Sequence, residues 1–475
     1  MQANVDQERN LLARLDRTPL TRRIWSIVAI LTLVWLVESF DVGIVGAIVL
    51  NLKDTWQLTS GELGLLGACG TAGIVIGLIP AGKLADQYGR RTVLVWGIGL
   101  FSVFTLLSGL AWNLPSLVVF RFLAGLGCGA VFPLPYMLIS EFVNARRRGA
   151  VLGWAQLFLT SGYTLPNLAG IWAGGVFAAD LAWRIPLIIG AVPLLFIPLV
   201  LIRVPESPRY LLRTGGYAKV RSFVEEVERQ AGLPHDESLT PDRPPVAEAA
   251  SPRLGAALRQ LFTPPYLSRS MLSYAALLAS FVLWYTMLTY APSIFSEMGA
   301  EKSSALLFTA VMMFIAGFGA LLQGYWADRF GRKPVHIGYI VLAGVGLAVL
   351  GLDVPIGLVV AGGLLVAFFG LGSFSVSKIY VTEQYPTSLR GTGTATGEML
   401  TRFLAGVVLV SAVPTLILVL GTTALFVVIG VAMVLLVLPM LLYGQETANR
   451  SVEETGTGQP EPVVGQAEPA REPQA

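Results

Sequence analysis

Twelve stretches of this chain, 24–50, 62–81, 92–112, 115–139, 150–173, 183–203, 270–292, 304–323, 335–352, 355–380, 392–418 and 421–443, read as long apolar runs. A helix needs about 20 such residues to cross a bilayer core. Lipid offers no partner to backbone amides and carbonyls, so a chain built from these runs is restricted to a bundle of spanning helices. The 13% of charged residues is about half the roughly 25% typical of soluble domains, and mean hydropathy is +0.67. The expected fold class is an all-α membrane protein with twelve transmembrane helices.

The polar start is not expected to act as a cleavable leader. Residues 1–23 are polar and carry Arg9, Arg14, Arg17, Arg22 and Arg23 before an apolar run far longer than a signal's 7–15 residues. No lipidation motif is read at either end. The expected organisation is a cytoplasmic N-terminal segment (1–23), a six-helix bundle (24–210), a cytoplasmic linker (211–269), a second six-helix bundle (270–443) and a cytoplasmic, largely disordered tail (444–475). The linker holds a helical pattern, YAKVRSFVEEVERQ (217–230), and a Pro-rich run at 239–252. With the N-terminus inside, 27 of the 33 basic residues fall in inside segments. The positive-inside rule then makes this a multi-pass cell-membrane protein with both termini cytoplasmic.

Several functions are excluded. Cys69 and Cys128 lie in apolar segments and read as packing residues, while His235 and His336 stand apart from any cluster. Neither a metal site nor a nucleophile–His pair is formed, so an enzyme, a metal and a cofactor are not expected. The linker has no GxxxxGK[ST] loop and hence no ATP-driven pump. No nucleic-acid partner is expected.

The chain repeats itself. ADQYGRR (85–91) returns as ADRFGRK (327–333), with Asp86 and Asp328, and Arg90 and Arg332, each 242 residues apart. Glu141 and Glu383, Arg148 and Arg390, and Gly149 and Gly391 keep that offset, and Glu206 and Glu446 stand 240 apart. Two pseudo-symmetric six-helix bundles in the same orientation form a parallel repeat, an arrangement of secondary transporters with the substrate site at the midplane between halves.

With GKLADQYGRR (82–91), GYWADRFGRK (324–333), RFLAGLGCG (121–129), SEFVNARRRG (140–149), QLFLTSG (156–162), PESPRYL (205–211), EQYPTSLRGTG (383–393) and QETANRSVEE (445–454), the chain resembles the major facilitator superfamily. Within it, the chain is similar to the sugar-porter and metabolite:proton symporter branch, related to synaptic vesicle glycoproteins and bacterial nicotinate carriers. The resemblance implies a cytoplasmic gate at Gly82, Asp86, Gly89, Arg90, Arg91, Glu141, Arg148, Glu206, Arg209, Asp328, Gly331, Arg332, Glu383, Arg390 and Glu446, latching that side in the outward-open state. The plainer reading is that these arginines only fix topology. Two departures count against a hexose. The seventh run, MLSYAALLASFVLWYTMLTYAP, lacks the amides of sugar porters, and the tenth has GSFSVSKIY in place of a Gly-Pro-x-x-Trp segment. Gln156 is the main sugar-porter-like residue left.

Charges inside spans are costly and usually functional. At about 1.5 Å per residue, Asp41 lies roughly 14 Å, and Arg121 roughly 9 Å, from the outer end of its run. These depths are compatible with an ion pair. The resemblance implies that Asp41 is the proton site and Arg121 its counter-charge, with a static structural pair as the alternative. Glu38, one turn away, either shares the proton or faces the cavity. Glu398 and Arg402 are four apart on one helix face and either pair locally or line the cavity. Lys378 either snorkels to the cytoplasmic interface or meets an anionic substrate. Trp284, Tyr285 and Tyr290 either stack on a planar substrate or only pack. The expected function is a monomeric secondary transporter working by alternating access, coupling protons to a small organic, aromatic or nicotinate-like acid. A sugar:proton symporter is the alternative, and a non-transporting sensor on the same scaffold a remote one.

Overall fold

The helices begin and end where the polar punctuation dictates. Thr59 and Glu62 form a reciprocal capping box, with the Thr59 amide donating to Glu62 at 2.8 Å, and Asn113 accepts from the Ser116 amide at 2.9 Å. Such side chains satisfy amide groups that a helix start leaves without partners. A computed structural model describes residues 2–234, 254–352 and 355–447, and among them there are helices and turns but no strand. His235, the Pro-rich run and the tail beyond 447 lie outside the described residues.

The spans are α1 (Arg22–Thr55), α2 (Ser60–Tyr88), α3 (Arg90–Gly109), α4 (Leu114–Phe142), α5 (Ala145–Gly162, continued by Leu165–Val176), α6 (Ala179–Arg203), α7 (Leu267–Glu297), α8 (Lys302–Phe330), α9 (Arg332–Gly351) and α10 (Leu358–Glu383). A last stretch, Ser388–Tyr443, is 56 residues long and turns at Gly421, whose φ is +80°. It therefore supplies two passes, α11 (388–420) and α12 (422–443). Ten stretches of the described residues are long and apolar enough to cross a membrane. Dividing the last one and adding α5, broken before Pro166, gives the twelve that the sequence predicts. Most helices run past their apolar cores: α2 continues from 81 to Tyr88 through the polar twin loop, because backbone hydrogen bonding does not stop where hydropathy does. We call the twin-loop side of the bundle the loop end and the opposite side the far end.

Two apolar clusters make up most of the core. One joins the first half to the N-terminal and linker helices. The other fills the second half and also takes in Ile44, Ile48 and Leu52 from the far part of α1, so the halves meet there. Glycines of α2 and α4 let those two helices touch, and Gly125 lies directly on the Gly70 carbonyl.

The polar N-terminal segment is more structured than its composition suggests. Gln2–Arg17 is an amphipathic helix whose Leu11 and Leu15 join the same apolar cluster as Val220, Val224 and Val227 of the linker helix Tyr217–Ala231. Arg14, 1% exposed, donates to both oxygens of Glu228 at 3.1 and 2.6 Å, and Arg17 donates at 2.7 Å. Burial alone would raise the Glu228 carboxyl's pKa. Hydrogen bonds and charge from Arg14 and Arg17 outweigh that and hold it below the ordinary value of 4.5. A depressed carboxylate stabilises a fold fully above its ordinary pKa, and that contribution fades as pH falls through the folded value. Limited proteolysis should therefore leave residues 1–20 protected at neutral pH and release them progressively below about pH 4. Glu228→Gln should expose them already at pH 7.

Candidate functional site

Each twin loop turns on a glycine that no other residue replaces cheaply. Gly89 has φ +97° and Gly331 φ +105°, both left-handed. An added Cβ at Gly331 would stand 2.6 Å from a Glu446 carboxylate oxygen, and one at Gly89 would overlap Glu206. Those carboxylates cap the helices that follow. Glu206 accepts from the amides of Arg91 (2.9 Å) and Thr92 (3.4 Å), and Glu446 from those of Arg332 (2.8 Å) and Lys333 (3.1 Å). Anions favour helix N-termini because unpaired amides point out of them.

The rest of each network repeats too. Arg90 pairs with Glu141, whose other oxygen takes the Ser207 hydroxyl at 2.5 Å. Arg332 meets Glu383 at 3.4 Å and Asp328 closely, and Glu383 takes the Thr447 hydroxyl at 2.6 Å. The Asp86 carbonyl accepts from Arg213, and Arg148 donates to the Val143 carbonyl and lies 3.9 Å from Asp16. Gly82 faces open space, and among the described residues no hydrogen bond or ion pair involves the Arg209 side chain. None of these contacts joins the first bundle to the second.

At the far end the contacts cross between halves. Lys53 pairs with Glu297 at 2.7 Å, and Lys302 with Asp54 at 2.6 Å. Tyr290 donates to carbonyls of Leu63 and Val410, both at 3.1 Å, so it fastens α7 to α2 and α11. Gly64 presses on the Ser411 carbonyl, and a Cβ at Gly67 would be 2.5 Å from the Tyr290 hydroxyl. Tyr290 is thus a fastener in this conformation and lines neither midplane cleft.

Two clefts lie near the midplane. The first holds Asp41 and Arg121, both nearly fully buried. Asp41 Oδ1 accepts from Arg121 Nη1 at 2.9 Å and from Thr105 at 2.5 Å, while Arg121 Nη2 donates to the Asp41 carbonyl at 2.9 Å. Cys128 Sγ stands 3.5 Å from Asp41 Oδ2, so this cysteine touches the charge pair as well as packing. Thr105 and Cys128 were not singled out by the sequence. A signal for Thr105 exists in Ser102, Thr105 and Ser108, three buried hydroxyls at a spacing of three on α3.

The second cleft is lined by Phe132, Tyr163, Phe281, Trp284, Tyr285, Phe374, Lys378 and Arg402, with Val42, Ile74 and Leu159. Glu398 bridges the two cations: Oε1 lies 3.1 Å from Lys378 Nζ and Oε2 3.1 Å from Arg402 Nε. Arg402 also donates to Tyr285 Oη at 2.9 Å. Its guanidinium lies 4.3 Å from the Phe132 ring, and the Lys378 ammonium 5.3 to 5.8 Å from Phe132, Phe374 and Phe281. Lys378 is part of the cleft lining, with its side chain 26% exposed. The α11 backbone widens into π-helical turns over Arg402–Leu409, a distortion often found at functional sites. Glu38 sits on α1 with 1% exposure, and among the described residues neither of its oxygens has a hydrogen-bond partner. Gln156 lies one turn from Leu159 on α5, outside the cleft lining, and its buried Nε2 has no hydrogen-bond partner among the described residues.

Two pseudo-symmetric six-helix halves enclosing charged clefts have the form of a multi-pass membrane transporter of small molecules. The chain belongs to the Sugar (and other) transporter family, whose signature matches residues 25–458. It is 25% identical to the niacin transporter NiaP of Acinetobacter baylyi over 94% of this chain and 100% of that one. It is 28% identical to the 4-hydroxybenzoate transporter PcaK of the same organism, over 82% and 84% of the two chains. A solved D-xylose–proton symporter superposes with a TM-score of 0.71 at 22% identity, covering 89% of this chain and 98% of that one.

Proposed function

We propose that this metabolite transporter is a monomeric proton symporter for an aromatic or nicotinate-like carboxylate, moving it across the cell membrane by alternating access. One observation carries the reading: two cations, Lys378 and Arg402, turn into a cleft walled by aromatic rings. Guanidinium groups bind carboxylates with charge-assisted hydrogen bonds, and the rings offer flat apolar faces for an aromatic body. The relatives named for niacin and 4-hydroxybenzoate support a substrate of this chemistry. The amide-free α7 does not favour a sugar.

The distribution of lysine and arginine puts the loop end, the linker and both termini in the cytoplasm. The conformation described is then closed outside, by the Tyr290 fastener and the paired lysines, with its loop networks folded back into their own halves. In the outward-open state those networks would latch the cytoplasmic side. Asp41 is the proton carrier and Arg121 its counter-charge; protonation cancels the pair's attraction and frees Arg121 to shift. Tyr285 lines both clefts, so a change at Asp41 has a direct route to Arg402.

The test is a thermal-shift screen of purified protein against nicotinate, benzoates, hexoses and pentoses, followed by proteoliposome uptake. Aromatic carboxylates should stabilise the protein and sugars should not; the reverse result would replace this reading with a sugar symporter. Arg402→Gln should weaken carboxylate binding by about tenfold or more, the value of a charge-assisted hydrogen bond.

A further inference from the structure

We propose that Glu398 sets the charge of the substrate, holding the binding cleft to monocarboxylates and discriminating against dicarboxylates. This rests on the aromatic-carboxylate reading above and adds a specificity determinant to it.

The charge of the cleft follows from the ionisable groups in and around it. Lys378 on α10 and Arg402 on α11 are its cations, and Glu398 on α11 holds one with each carboxylate oxygen at 3.1 Å. Tyr163 on α5 and Tyr285 on α7 are neutral phenols at the same cleft. Glu38 on α1 stands outside the lining of this cleft, and among the described residues its carboxyl meets no donor. Asp41 and Arg121 in the neighbouring cleft neutralise each other. The cleft is left with one surplus positive charge.

Glu398 lies between ammonium and guanidinium, a position that suits a carboxylate, although it does not itself line the cleft. It does not exhaust them. Arg402 spends Nε on Glu398 and Nη1 on Tyr285, and among the described residues its Nη2 has no hydrogen-bond partner. Lys378 has a hydrogen-bonding contact to Glu398 alone among the described residues, plus the three rings beneath it. Donors for one further carboxylate remain, and its charge brings the cleft to neutrality. A second carboxylate would bring an excess negative charge into a cleft whose lining, among the described residues, holds no third cation. Glu398 is thus a tethered anion that keeps the empty cleft paired and limits what enters it.

The experiment measures binding of benzoate and of phthalate, its dicarboxylate counterpart, to detergent-purified wild type and variants by calorimetry or competition. Wild type should prefer benzoate. Glu398→Gln should move the phthalate-to-benzoate affinity ratio toward phthalate by about tenfold or more, the scale expected for one charge at this range. Adding Lys378→Met to Glu398→Gln restores the single surplus charge and should return the ratio toward wild type, a reversal that general loosening of the fold would not produce. Glu398→Asp keeps the charge and should keep the wild-type preference, which covers the case of a Gln variant that does not fold. Wild-type preference for benzoate with an unchanged ratio in Glu398→Gln, or with a reversed preference in Glu398→Asp, overturns the inference alone. Failure of folded wild type to bind either acid overturns it together with the aromatic-carboxylate reading.

Discussion

In proteoliposomes with an imposed proton gradient, Asp41→Asn should fill with substrate only to equilibrium, whereas counterflow exchange of labelled substrate should continue. Asparagine keeps the shape of the side chain and an oxygen for Arg121 and Thr105, which now hold Asp41 Oδ1 at 2.9 and 2.5 Å. It cannot carry a proton, so conformational exchange goes on without the driving force. The Arg121 guanidinium loses its counter-charge, and breaking a buried pair in this way costs about 3–5 kcal/mol. The variant should therefore melt at a lower temperature. Exchange tells loss of coupling apart from loss of fold: a misfolded protein shows neither activity. Undiminished accumulation by Asp41→Asn would remove Asp41 from the coupling mechanism.

The second large effect concerns the far end. Gly64→Leu should abolish transport and hold the two halves apart there, whereas Gly61→Leu, one turn earlier on α2, should transport normally. A Cβ at Gly64 lands on the Ser411 carbonyl, and at Gly61 it meets nothing within 4 Å. The obstruction is backbone, so no rotamer change relieves it. Overpacking of this sort costs about 3 kcal/mol, enough to shift a two-state population by about 100-fold. Spin labels near Lys53 and Glu297 should report a longer distance in Gly64→Leu and an unchanged one in Gly61→Leu. An unchanged distance in both would mean that α2 and α11 separate too little during transport for this contact to matter.

The sequence disclosed what depends on periodicity and on rarity. Apolar length gave the spans, the constant offset gave the halves, and charges in lipid are so unusual that Asp41, Arg121, Glu398 and Arg402 stood out unaided. The i, i+4 spacing of the last two translated directly into the 3.1 Å contact. What stayed hidden depends on rotation and on neutral side chains. Lys378 follows a π-helical widening at Val366–Gly370 and a tight turn at Leu371–Ser373. One residue added to a helix turns everything after it by about 100°, so the face that Lys378 presents could not be read from spacing. Gln323 Oε1 accepts from the Val376 amide at 3.0 Å just past that irregularity. Thr105 and Cys128 are ordinary residue types in apolar runs, and only their meeting with Asp41 sets them apart. The N-terminal helix was missed because its apolar stripe is two leucines wide and completed by a partner more than 200 residues away.

Glu206 and Glu446 arrive from just beyond the sixth and twelfth spans, yet they finish the turn between the second and third spans of their halves. Each half is therefore sewn into a loop, its last strand of chain knotted to its early corner. Force applied at any one helix is shared around that loop rather than spent on bending a connection. A body built this way should tip as a single block, with the joint between the two blocks as the softest part of the machine.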